Sequence, residues 1–293
     1  MVPWVERSLR IADVEILLRS NRAELLDAFF APLKGYESPG APPEIIQQYV
    51  VASGFRPFLP AEREYPGYNF RPEVDADGKA GASARYLFSR RDSGGTIEVP
   101  DAPSEPVVGT FEGRGARSVL EATLRISLCM ALLRNGGLML HSAGAAAASD
   151  EEARVFTGQS GAGKSTLFGL LHGSGLFRHM LGDEMIVLRP DPGSPTAWRA
   201  HATPFGGERG PCARASAPLR AIYFLEKAPH HRAVPLQGPR VVPGILRNTL
   251  AYVGDRANAA RALASATRLV KDVATYRLEF QKDEHVVSVL GLT

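Results

Sequence analysis

Lysine is scarce in this chain: only six of the 34 basic residues are lysine, and the rest are arginine. The arginines are scattered, with no basic run longer than a pair. A net charge of +3 without a clustered stripe argues against a nucleic-acid partner. Cysteine is scarcer still. Cys129 and Cys212 offer neither a disulfide framework nor metal-type spacing, and Cys129, inside an apolar run, reads as a small core residue. Long hydrophobic runs are missing as well. The most apolar helix candidate, SVLEATLRISLCMALLRNGG, is broken by Glu121 and Arg125, and no stretch reaches the ~18–20 apolar residues of a membrane span. The first residues, MVPWVERSLRIADVEILL, carry early acids and lack the apolar core of a signal peptide. Repeats and low-complexity tracts are also absent. Together these absences predict a cytoplasmic protein that engages neither membrane nor nucleic acid.

What is present is an ordinary globular composition, 44% hydrophobic and 22% charged, over 293 residues, enough for one large domain or two small ones. The two halves differ in texture. Residues 1–106 hold 12 of the 22 prolines, so turns punctuate this half. Its candidate strands are LRIADVEILL, IIQQYVV, ARYLFSR and GTIEV, and Ser20 is placed to cap a helix over NRAELLDAFF. This predicts a small β-rich module without a catalytic constellation. From 107 to 293 the pattern becomes α/β. VVGTFEG reads as a strand. A helix follows over 118–134, with Leu120, Leu124 and Leu128 on one face and a Glu121–Arg125 pair. Next come the strand GGLMLHSAGAA, a turn at SDEE and the strand ARVFTGQ. A helix runs from Lys164 to about Gly173, and strands follow near 185–189, 197–204 and 219–226. A helix over 255–272 and the strand TYRLEF close the pattern.

Between the strand and the helix lies RVFTGQSGAGKSTLFGLL, residues 154–171. Gly158 and Gly163-Lys164-Ser165 fit the phosphate-loop pattern in full, so Gly158, Gln159, Ser160, Gly161, Ala162, Gly163, Lys164, Ser165 and Thr166 are the candidate nucleotide-binding residues. Glycines let backbone N–H groups turn inward around phosphate oxygens, and the following helix points its positive end at the same place. Lys164 is expected to reach the β- and γ-phosphates, and the Ser165 hydroxyl to bind Mg²⁺.

Neighbouring residues narrow the class. An N-K-x-D segment, needed to read guanine, is absent after the loop, and so is the L-S-G-G-Q-like signature of transport ATPases. HMLGDEMIVL does follow, placing Asp183 nineteen residues beyond Lys164, after one helix, one turn and one short strand. Asp183 could face the γ-phosphate and its metal, or stand in an exposed turn. Upstream, a hairpin about a turn at 149–152 would set His141 opposite roughly residue 160. A strand histidine there is either a hydrogen-bonded core residue or a group that converges on the phosphate with Lys164, Asp183 and Glu184.

The order His141, then the loop from Gly158 to Thr166, then Gly182-Asp183-Glu184 resembles the catalytic domain of HPr kinase/phosphorylase and its kin. These proteins share their phosphate-loop architecture with ATP-dependent phosphoenolpyruvate carboxykinase. The resemblance covers about residues 118–290, is strongest over 140–189, and is closer to the HPr kinase-like proteins found beside peptide-tailoring genes. Two features depart from the family. Asp183-Glu184 replaces an Asp-Asp pair, and TPFGGERGP (203–211) stands where the R-G-L-G-I signature would be.

The resemblance implies an α/β phosphate-loop kinase domain that uses ATP and Mg²⁺ and phosphorylates a hydroxyl, most simply serine, on a protein or peptide partner. Asp183, His141, Glu184 and Lys164 are then the candidate catalytic residues, Ser165 and Asp183 the metal-holding pair, and Glu208 and Arg209 substrate-side candidates. Two readings stay open beside it. One is a nucleotide-binding regulatory or scaffold module without transfer. The other is a carboxykinase-type lyase, for which residues 107–140 supply no second basic and metal-binding constellation. A homo-oligomer also remains open.

Overall fold

Alternating burial along Val5–Ile11 (β1) and Val14–Ser20 (β2) turns Leu9 and Ile11, then Val14, Ile16 and Leu18, inward. The computed structural model describes residues 4–52, 68–73, 84–102, 104–194, 196–238, 241–251 and 256–291. The segment read as one strand, LRIADVEILL, is a hairpin. Ile11 pairs with Val14, leaving a two-residue turn in which Ala12 and Asp13 have φ of 50° and 60°. Such turns usually announce themselves with Asn-Gly, and Ala-Asp gives no such signal.

The helix Ala23–Phe30 (α1) starts later than expected. Its N-cap is Arg22, whose N–H donates to Ser20 Oγ at 3.2 Å, so Ser20 closes the turn ahead of the helix rather than capping it. Strands Ile45–Val51 (β3), Tyr68–Pro72 (β4), Ala84–Arg90 (β5), Ser93–Val99 (β6) and Val107–Gly113 (β7) complete a sheet of seven in the order β1-β2-β3-β7-β6-β5-β4. The helix Arg117–Arg134 (α2) packs on β3, β6 and β7. Buried Gln47 of β3 donates to Thr123 Oγ1 at 2.9 Å and accepts from Ser127 Oγ at 3.0 Å, so this packing leaves its amide satisfied. Cys129 is buried in the same helix.

The chain divides into two compact units, Met1–Asn135 with Tyr252–Ala259, and Gly136–Ala251 with Ala260–Thr293. Composition alone set the limit at 106/107. The structure differs because β7 pairs with β3 in parallel and β6 in antiparallel fashion, which draws β7 and its helix α2 into the first unit.

The second unit is mixed α/β. Its strands are Leu138–Ala147 (β8), Ala153–Thr157 (β9), Phe177–Gly182 (β10), Met185–Pro190 (β11), Trp198–His201 (β12), Ser216–Lys227 (β13), Arg232–Leu236 (β14) and Ala274–Phe280 (β15). Its helices are Lys164–Ser174 (α3), Val242–Asn248 (α4) and the part of Arg256–Asp272 (α5) from Ala260 on, with a 3-10 turn at Glu284–Val289. β9, β13 and β15 run parallel, with Thr157 level with Phe224 and Lys227 level with Phe280, so their C-terminal ends point to the same end of the sheet. β8 pairs antiparallel with β9, β10 and β11.

Rings of Phe156, Tyr223 and Tyr276 stack across the parallel strands at 5.3 and 5.2 Å. Leu167, Phe168 and Leu171 are the buried apolar residues of α3, in one core cluster with Ala143 and Ala145 of β8. Arg154, buried in β9, donates to the carbonyls of Leu290 and Gly291 and to Asp150, which ties down the end of the described chain. No described helix is long and apolar enough to cross a membrane.

The β8–β9 hairpin is two residues tighter than expected. Ser142 pairs with Thr157, so His141 lies level with position 158 rather than 160. The reason is the turn: Ala147 N–H donates to Glu152 O at 3.0 Å, closing the loop over 148–151 with Glu151 at φ 56°. An even shift keeps every side chain on its own face, so the side on which His141 emerges does not change.

Candidate functional site

β9 delivers the chain at Thr157 to a tight loop, and α3 begins at Lys164. Gly161 and Gly163 have φ of 78° and 102°, a conformation that side-chain-bearing residues rarely adopt. At Gly163 space is short as well, since a Cβ would fall 3.0 Å from the Phe280 ring at the end of β15. No side chain caps α3, so its first N–H groups keep their donor capacity for whatever enters beside them.

Lys164 is buried, and its ammonium donates to Gly158 O at 2.8 Å and Gln159 O at 3.2 Å. Burial holds its pKa below the ordinary lysine range, and the negative charge of Glu184 partly opposes that shift. Ala162 N–H donates to Gln159 O, and the Ala162 side chain packs against the hydrophobic core.

Asp183 and Glu184 occupy the corner between β10 and β11, immediately after Gly182 at φ 147°. Asp183 is 3% exposed. Its Oδ1 accepts the Gly207 N–H at 3.2 Å, while its Oδ2 is buried without a hydrogen-bond partner among the described residues. Glu184 Oε2 lies 3.5 Å from His141 Nε2. His141 is set there by the β8–β11 pairing, which places it opposite Met185.

These groups face one cavity of about 460 Å³. It is lined by His141, Ser160, Gly161, Gly163, Lys164, Ser165, Thr166, Asp183, Glu184 and Glu208. Of the substrate-side pair, Glu208 therefore joins the cavity. Arg209 does not line it: its guanidinium lies against α3, where a Cβ on Gly169 would fall 2.5 Å from Nη2. Gly158, Gln159 and Ala162 shape the loop without lining the cavity, and the carbonyls of Gly158 and Gln159 hold Lys164.

Two neighbours escaped the sequence reading. Gly207 supplies the N–H on Asp183, and a Cβ there would stand 2.7 Å from Oδ1. Cys212 is half-buried, and burial, with the Asp183 charge adding to it, pushes its thiol up to about 11. The Gly206-Gly207 doublet was the available signal, since a Cβ on Gly206 would clash with Gly210 at 2.3 Å. Gly207→Ala is accordingly expected to displace the Asp183 carboxylate. Any chemistry that depends on that group should fall about 10–100-fold, the scale of a displacement near 1 Å. Ligand affinity at the loop, measured by calorimetry, should stay within about twofold.

Among the described residues no group of three or more His, Cys, Asp or Glu side chains could hold a metal ion. Among the described residues the cavity offers one buried carboxylate with an unpartnered oxygen, Asp183, and three hydroxyl side chains, Ser160, Ser165 and Thr166, of which Ser165 directly follows Lys164 at the start of α3. That donor set fits Mg²⁺, which prefers one or two protein oxygens and completes its shell with phosphates and water.

Comparison with known proteins adds little. No protein-family model and no curated protein matches the sequence. Among solved structures, the Hpr(Ser) kinase/phosphatase from Coxiella burnetii is similar at 12% identity with a TM-score of 0.30, over 53% of this chain and 92% of that one. A likeness this distant assigns neither family nor activity.

Proposed function

We propose that the cavity binds ATP and transfers its γ-phosphate to a hydroxyl, most simply a serine, on a protein or peptide. The observation that carries this reading is the Asp183 carboxylate. It is buried, one of its oxygens has no partner among the described residues, and it lines the same cavity as Lys164 and the uncapped start of α3. A carboxylate serving only the fold would have its buried oxygens hydrogen-bonded.

Phosphoryl transfer asks a protein mainly for positioning and charge. The loop amides and the α3 N-terminus hold the phosphate oxygens, and Lys164 exchanges the Gly158 and Gln159 carbonyls for the β- and γ-phosphates. Asp183 and the Ser165 hydroxyl are the groups that would hold Mg²⁺, which neutralises phosphate charge when bound. The acceptor oxygen bonds to the γ-phosphorus as the bond to the β-phosphate oxygen breaks, and ADP departs. The acceptor's proton passes to Asp183, with Glu184 as the next carboxylate in reach. The proton leaves late in a loose transition state, so an ordinary carboxylate suffices. His141, 3.5 Å from Glu184, orients that second carboxylate at the cavity mouth.

Incubating the chain with ATP, Mg²⁺ and the polypeptides encoded beside its gene tests this directly by mass spectrometry. The expected product carries one added phosphate on serine. Tight ATP binding with no phosphoproduct would instead identify a regulatory nucleotide-binding module.

A further inference from the structure

A second concavity, of about 600 Å³, opens in the same unit between α4 and α5. Its walls include Val242, Pro243 and Leu246 from α4, and Leu263, Thr267, Val270 and Lys271 from α5. The 242/246 and 263/270 spacings place an apolar stripe on each helix, so two stripes face one trough. That is the geometry by which a groove takes up the apolar face of another helix.

The core takes up only part of this lining: Val242 is buried, Leu246 and Val270 are half-buried, and Pro243 is exposed. Ala262, Ala266 and Leu269 carry the buried face of α5, whereas Leu263 is 50% exposed, one of three large hydrophobic side chains so open among the described residues. Among the described residues that line the trough the charged side chain is Lys271, and exposed Arg247 follows Leu246 on α4. Asp272, in the adjoining hollow, is already engaged by Trp198 Nε1 and Arg268. A second copy of this chain is a poor occupant, because a two-fold contact would set the same cations near each other. An acidic partner is attracted to them.

We propose that this trough docks an amphipathic helix of another polypeptide, apolar on one face and acidic on its flanks. The site has a route to the cavity described above. Beyond α4, Thr249 bridges Leu140, and Leu250 N–H donates to Met139 O at 2.7 Å, so the docking element is hydrogen-bonded to the strand that carries His141. The proposal stands apart from the kinase reading, since docking is measured without turnover.

The test is fluorescence anisotropy with a labelled synthetic peptide that bears leucines at i, i+4 and i+7 and glutamates on its other positions. One control has the same composition with scrambled spacing, and the other has lysine in place of glutamate. The Glu-faced peptide is expected to bind at least about tenfold more tightly than either control, with affinity falling as salt is added. Leu263→Asp should weaken it about tenfold and Lys271→Glu about fivefold, while thermal midpoint and ATP-analogue affinity stay at the wild-type values. Equal binding of all three peptides, preference for the lysine-faced one, or indifference to Leu263→Asp would overturn the proposal. So would a concentration-dependent dimer that Leu263→Asp dissolves, which would make a second copy the occupant.

Discussion

Lys164→Ala is expected to weaken ATP binding about ten- to a hundredfold and to cut transfer by a further 10²–10³-fold, on the order of one lost charge-assisted contact and one lost transition-state donor. The side chain is held in place before ligand arrives. Its ammonium bridges the carbonyls of Gly158 and Gln159 and is buried at the start of α3. Those carbonyls are weaker partners than a triphosphate, so the charge passes to the ligand and is used in both ground and transition states. The wild-type protein carries a linked pH dependence. Binding needs the ammonium form, and burial lowers the pKa of Lys164. Affinity for ATP should therefore be full below that depressed value and fall as pH rises through it, earlier than for an exposed lysine. Calorimetry across pH, with and without the substitution, reads both effects. Unchanged affinity in Lys164→Ala would remove the loop from the donor site.

Asp183→Asn is expected to leave nucleotide binding in place while transfer falls by at least about two orders of magnitude, the lower range for losing a general base. The substitution preserves shape, and an amide oxygen can still accept the Gly207 N–H. What is lost is negative charge at a buried oxygen that no described residue hydrogen-bonds. Stability should not drop, because removing an unpaired buried charge relieves a cost that the site bears for its chemistry. The diagnostic pattern is thus an unchanged or raised thermal midpoint, retained ATP affinity with altered Mg²⁺ dependence, and lost transfer. Near-normal transfer would show Asp183 to be a turn residue and make Glu184 the candidate base.

Much of this site was legible because its signals are local. Gly158, Gly163, Lys164 and Ser165 fall within one strand-loop-helix segment, where glycine marks the positive-φ positions and the apolar spacing of α3 marks the helix. Asp183 and Glu184 could be placed because one helix and one short strand leave little freedom for the chain to go elsewhere. His141 depended on a hairpin count, and the two-residue error came from the turn, whose Glu151 at φ 56° gives no sequence warning.

What could not be read is tertiary. Gly207 meets Asp183 across 24 residues of chain, and Arg209 turns to α3 because Gly169 leaves room for its guanidinium. VPGILRN contains two helix breakers, Pro243 and Gly244, yet it forms α4. Proline is tolerated in the first helical turn, and Gly244 is required by the Phe224 ring, 2.7 Å from where a Cβ would sit. The same limit applies to β7 and α2, whose place in the first unit follows from strand partners far along the chain.

The most direct test of the site is a crystal structure of the chain with Mg²⁺ and a non-hydrolysable ATP analogue. The triphosphate should lie over the loop from Gly158 to Thr166, with Lys164 Nζ moved from the Gly158 and Gln159 carbonyls to phosphate oxygens. Asp183 Oδ2 should face the γ-phosphate end. Nucleotide bound elsewhere on the chain, or a γ-phosphate pointing away from Asp183, would contradict the assignment.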